Sequence, residues 1–183
     1  MSKPNQNGRR VAFGGILAGL SLLCLFLSGI VPFAEFTCPA LAGIVLTAVV
    51  IDFGRKTAWL CYAVVALLSL VITPNKEAAL LFVFFLGYYP ILKSVLEQTK
   101  SRVMEWFFKL LIFNAAMISA YAVIIYLLGM TEVLAEMNEI SQYGALVFLL
   151  LGNLVFLLYD YALSGLIAIY CAKLRPKLKI SRS

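Results

Sequence analysis

The sequence predicts an all-α, polytopic integral membrane protein with six transmembrane helices and both termini cytoplasmic. Three observations predict it. The first is composition: 63% of the 183 residues are hydrophobic and only 13% are charged, where soluble domains run at about half and about a quarter. Mean hydropathy is +0.97, more apolar surface than one water-facing core can hide, which excludes a soluble domain. The second is the division of the chain into apolar runs punctuated by proline, glycine and charge. The third is the one-sided placement of Lys and Arg. The chain reads as a single membrane domain, 1–183, with no internal repeat.

The elements follow in order. A helix crosses the hydrocarbon with about 20 apolar residues, or about 17 if upright. The first segment, 11–31, follows Lys3, Arg9 and Arg10 and is closed by Pro32. Its basic start resembles a signal peptide, but it is too long and no small-residue cleavage site follows, so it reads as a retained helix. Segments 37–53 and 57–73 are separated by Asp52-Phe53-Gly54-Arg55-Lys56, and Pro74-Asn75-Lys76 closes the second of them. Segment 78–92 reaches only roughly 22 Å at 1.5 Å per residue. It is therefore shielded by neighbours, extended through Glu77, or partly re-entrant. A charged stretch, 93–105, precedes the fifth segment, 106–130, and the sixth, 143–172, is long enough to tilt or protrude.

Charge fixes the orientation. With the N-terminus inside, 14 of the 15 basic residues fall on the cytoplasmic side and Lys76 alone falls outside. Basic residues near helix ends resist translocation, and an odd number of crossings would scatter them over both faces. The net charge of +6 therefore points to anionic lipid and not to nucleic acid. Glu35, Glu77, Glu132, Glu136 and Glu139 fall outside. The loop 131–142 fits either a short amphipathic helix over the outer mouth or a solvated acidic loop.

Several chemistries drop out. There is no histidine, which removes the commonest general base and metal ligand. Cys24, Cys38, Cys61 and Cys171 are scattered without CxxC spacing, so no zinc site or disulfide framework is expected. No zinc-protease, nucleophile-elbow or phosphate-loop motif is present, and no aspartate cluster suits Mg²⁺. The expectation is a non-enzyme without metal or cofactor.

Three constellations remain. Asp160 is the one carboxylate inside an apolar run, and an ionised Asp on an isolated helix in lipid costs about 2.5–3.5 kcal/mol. Asn153 and Ser164 share its side of the helix. It is either a ligand, proton or cation site, or an interhelical hydrogen-bonding group with Tyr121, Tyr126, Asn114 or a partner protein opposite. On the second reading Asp160→Asn costs about 1–3 kcal/mol. Small residues Gly14, Gly15, Ala18 and Gly19 sit in four-residue spacing on the first helix, which suits close approach by another helix, within the bundle or outside it. At the outer edge, Lys76 stands against the charge rule, offset by Glu77 or Glu35 or by an anionic ligand.

The stretch Arg9-Arg10-Val11-Ala12-Phe13-Gly14-Gly15-Ile16-Leu17-Ala18-Gly19-Leu20-Ser21 resembles the first helix of the substrate-binding S components of energy-coupling factor (ECF) transporters. Pro39-Ala40-Leu41-Ala42-Gly43 through Gly54-Arg55-Lys56-Thr57-Ala58 is similar to their second and third helices joined by a Gly-basic turn. The resemblance implies a plasma-membrane subunit that binds a small vitamin-like nutrient and works with a transmembrane T component and ATPase subunits. It implies that Gly14, Gly15, Ala18 and Gly19 take the docking place that alanines hold in that family. By position it implies substrate contacts near Glu35, Lys76, Glu77 and the 131–142 loop, and Asn153 and Asp160 complete the candidate set. The absence of histidine argues against the nickel and cobalt branches. Two other readings fit the layout: a structural membrane protein of a cell-envelope assembly of the rod-shape-determining type, and a small proton- or cation-coupled carrier centred on Asp160.

The topology is testable. In a background without the four native cysteines, single cysteines at Asn75 and Asn138 should react with an impermeant maleimide in intact cells. Cysteines at Thr99 and Ser181 should react only after lysis. Outside labelling at Thr99 would overturn the six-helix reading.

Overall fold

In a computed structural model of the protein, the residues described are 6–31, 34–99, 101–129 and 144–174; all the regular structure among them is helical, with no strand. Helix α1 is Gln6–Leu27 and α2 is Thr37–Ile72. Helix α3, Lys76–Leu81, runs into a π turn at Phe82–Leu86, and α4 is Tyr89–Leu96. Helix α5, Arg102–Ala122, passes into a π turn at Val123–Leu127, and α6, Gly144–Ile169, into another at Tyr170–Leu174. Five helical stretches are long and apolar enough to cross a membrane: Arg10–Leu27, Thr37–Ile72, Lys76–Leu96, Arg102–Leu127 and Leu146–Lys173. The acidic loop 131–142 lies outside the described residues.

Helix α2 is not straight. Gly54 sits at φ 83°, ψ 170°, a backbone conformation that a side chain disfavours and glycine tolerates. Contacts on its two sides run in opposite directions along α1. Before it, Phe53 meets Phe13 at 6.2 Å between ring centroids and Ala42 O accepts from Ser21 Oγ at 3.1 Å. After it, Cys61 Sγ lies 3.8 Å from Gly14 O, and Pro74 lies against Gly29. The chain therefore doubles back at Gly54, inside the 52–56 break expected between the second and third segments. Ala18, Ala42, Ala58 and Ala66 line the seam among Leu25, Leu46 and Val65, so the three backbones approach closely where lipid offers no hydrophobic incentive to associate.

The short fourth segment is both extended and shielded. Asn75 caps α3, its Oδ1 accepting from Ala78 N at 3.0 Å, and helix continues past Pro90 to Leu96. Of the 18-residue apolar core of Lys76–Leu96, 61% is buried, against 17–39% for the corresponding cores of the other four stretches. Its π turn lies directly on α2. A Cβ at Gly43 would sit 2.2 Å from Leu86 O, and one at Gly87 would sit 2.7 Å from the Phe82 ring. Tyr62 Oη donates to Val83 O at 2.5 Å, giving a carbonyl of the π turn a partner. Gly43→Ala should therefore destabilise the protein by about 1–3 kcal/mol through overpacking, whereas Gly15→Ala, with nothing within 4 Å of the added methyl, should leave it unchanged. Unfolding in mild detergent measures both.

Candidate functional site

The chemistry-bearing groups gather where α4, α5 and α6 meet. Tyr89, Lys93 and Glu97 recur at four-residue steps and so share one face at the end of α4, as Glu105 and Lys109 do at the start of α5. Asp160 approaches from α6. Its Oδ1 accepts from Tyr89 Oη and from Lys93 Nζ, and its Oδ2 accepts from Lys109 Nζ at 3.1 Å. Lys93 also donates to Asp160 O at 3.2 Å and pairs with Glu97 at 2.9 Å. Lys109 pairs with Glu105 at 2.8 Å, lies 3.7 Å from the same Glu97 oxygen, and stands 4.9 Å over the Trp106 ring.

Both lysine side chains are 1% exposed and Asp160 is buried, while Glu97 is 43% exposed. Ions withdrawn from water persist only when paired and hydrogen-bonded. Here two ammonium groups face three carboxylates, and the carboxylate in excess is the one that reaches solvent. All three protons of Lys93 have acceptors, and Asp160 holds two donors on Oδ1 and one on Oδ2, so the cluster is a pin between helices.

Asp160 thus has an interhelical role, but with partners other than those expected. Asn114 instead exchanges hydrogen bonds with Asn153, at 3.0 and 2.9 Å. Tyr121 donates to Glu77 Oε1 at 3.2 Å, and Tyr126 is 86% exposed. Lys93 and Lys109 escaped notice because linear hydropathy placed them in the charged break and at the edge of the fifth segment. Helix α4 runs one turn further than expected and α5 begins one turn earlier, which brings both lysines inside. The four-residue spacing of Tyr89, Lys93 and Glu97 is the signal that could have found them.

The expected substrate residues fall in separate places. Lys76 Nζ donates to Leu70 O and Thr73 O at 3.0 Å each and to Val71 O at 3.5 Å. It closes the C-terminus of α2, so the stray positive charge is offset by carbonyls and the helix dipole. Glu77 is held by Tyr121 and Glu35 is half-buried at the start of α2. Asn153 belongs to the Asn114 pair and Asp160 to the charge cluster. The small residues of α1 divide as well: Gly14 and Ala18 are buried in the bundle, with Cys61 Sγ 3.3 Å from a Cβ at Gly14. Gly15 and Gly19 face outward with nothing within 4 Å. Two of the four expected docking residues are therefore committed to internal packing.

Comparison with protein-family models, curated proteins and solved structures finds no match to this chain.

The pin changes the expectation for Asp160. Removing its charge takes away the one carboxylate that is itself buried and shared by both ammonium groups, leaving Lys93 to Glu97 and Lys109 to Glu105, so Asp160→Asn should cost about 3–5 kcal/mol and not the milder loss of one hydrogen bond. Asn153→Ala should cost about 0.6–1.7 kcal/mol, the scale of interhelical hydrogen bonds in membranes. Replacing the whole pin with apolar groups (Lys93→Met, Lys109→Met, Asp160→Leu) should recover most of the loss. Unfolding of the three variants in micelles reads these outcomes, and an Asp160→Asn protein as stable as the parent would refute the pin.

Proposed function

We propose that this chain is the substrate-binding membrane subunit of an ECF-type nutrient uptake transporter. It binds a small vitamin-like molecule towards the outer face and relies on a transmembrane T component and ATPase subunits for energy. The observation that carries the reading is the outward pair Gly15 and Gly19 on α1. A helix that meets only lipid gains nothing from a bare backbone, whereas a strip of small residues lets a second transmembrane helix come close. Gly8 and Ala12 extend the exposed strip towards the start of the helix.

The ion-paired Asp160 favours this reading over a gradient-driven carrier. Such a carrier needs an intramembrane titratable group that changes exposure, and Asp160 is held between two buried lysines. On this reading the two arms of α2 are separate crossings, six in all, and α1 starts and α6 ends on the side carrying Arg10, Arg55, Lys56 and Arg102. That side is then cytoplasmic by the charge rule.

Gly15→Leu with Gly19→Leu should abolish co-purification of the T component and ATPase subunits from native membranes while the monomer keeps its melting temperature. Co-purification of cell-wall enzymes in place of transporter subunits would replace this reading with the envelope-assembly one. Transport by the purified chain alone under a proton or cation gradient would replace it with the carrier.

A further inference from the structure

The Gly54 turn gathers positive charge that the rest of the bundle does not neutralise. Arg55 and Lys56 follow the turn directly and both are exposed. Arg10, also exposed, lies one turn before Phe13 and Gly14 on the same face of α1. That face meets Phe53 on one side of the turn and Cys61 on the other, so Arg10 is directed to the same corner. Among the described residues none of these three cations makes an ion pair or a side-chain hydrogen bond. Asp52, the acid next to them in sequence, accepts from Tyr170 Oη at the end of α6. The contrast with Lys93 and Lys109, each held by carboxylates, is complete.

Trp59 fixes the depth of this corner. It lies one turn beyond Arg55 and Lys56, is 47% exposed, and is held by Tyr62 edge-on at 5.5 Å and by Tyr88 parallel at 6.2 Å. Tryptophan rings of this kind settle at headgroup level. Three unpaired cations above a fixed indole match a lipid with a phosphate outside and acyl chains below. A soluble anion would have no use for the ring.

We propose that Arg10, Arg55, Lys56 and Trp59 form a binding site for the phosphate headgroup of an anionic membrane lipid. Each cation near a membrane surface strengthens attraction to anionic lipid several-fold, and three carried on the backbone of one corner add to a local site and not a diffuse one. The proposal stands independently of the transporter reading.

Native mass spectrometry of the full chain released from micelles, titrated with phosphatidylglycerol or phosphatidylcholine, tests it. Phosphatidylglycerol should bind at least about tenfold more tightly than phosphatidylcholine. Arg10→Gln with Arg55→Gln and Lys56→Gln should erase the preference, Arg55→Gln with Lys56→Gln should erase most of it, and Arg102→Gln should preserve it. Melting in neutral detergent, unchanged in the double variant, shows that the fold is intact. Equal binding of the two lipids, an equal loss in Arg102→Gln, or competition by glycerol phosphate at the same concentration would overturn the proposal.

Discussion

Lys93 and Lys109 can stay buried only while carboxylates face them, and much of the bundle is arranged to meet that condition. Helix α4 must continue past Pro90 so that Tyr89, Lys93 and Glu97 share a face. The π turn before it admits one more residue than an α-helical turn would, resetting the face on which α4 emerges, and Gly43 and Gly87 supply the room for that turn. Helix α5 must begin at Arg102 so that Glu105 precedes Lys109 by one turn. Helix α6 then has one rotation in which Asp160 bonds both lysines. Loss of any arm removes a charge partner from a buried ion, a larger penalty than any single apolar contact in the bundle.

Two modes of adhesion hold the helices. Around α1 and the arms of α2, small residues bring backbones together, and the polar contribution is slight: Ser21 to Ala42 O and Cys61 to Gly14 O. Helix α6 buries little of its surface and is held by rungs. Asn153 meets Asn114, Asp160 meets the lysines, and Tyr170 meets Asp52, with Phe156 stacked on Phe113 at 4.7 Å. In lipid the difference follows from composition. Helix α6 is rich in leucine and cannot approach closely enough for backbone packing, so its place is set by directional bonds at a few heights.

The elements were legible where a local signal marked them. The proline and charge breaks placed the later helices to within about a turn, whereas α1 begins and ends earlier than the expected 11–31, and Gly54 lies within the expected break. Asp160 was legible as an anomaly because one charge in an apolar run has no other explanation than a partner. Its partners were not legible. Linear hydropathy treats a lysine near a segment end as interfacial, and only the extra turns of α4 and α5 reveal Lys93 and Lys109 as interior. Asn114 was seen as a rung but matched to the wrong height. At the other end the sequence suggests Glu77, Glu35 or an anionic ligand as the offset for Lys76, whereas three carbonyls of a helix terminus do the same work.

An intramembrane carboxylate is ordinarily the first place to look for function, because its burial is costly unless something is gained. The hydrogen-bond inventory decides what is gained. A carboxylate that faces a cavity can take a proton, a cation or a ligand; at Asp160 a tyrosine and two ammonium groups take three of the roughly four acceptor positions. The gain is therefore positional: three helices fixed in rotation and height by one residue. Outside this pin, the bundle presents the outward glycines of α1 and the unpaired cations at the Gly54 turn. Both proposed interactions are placed on those surfaces, away from the buried cluster.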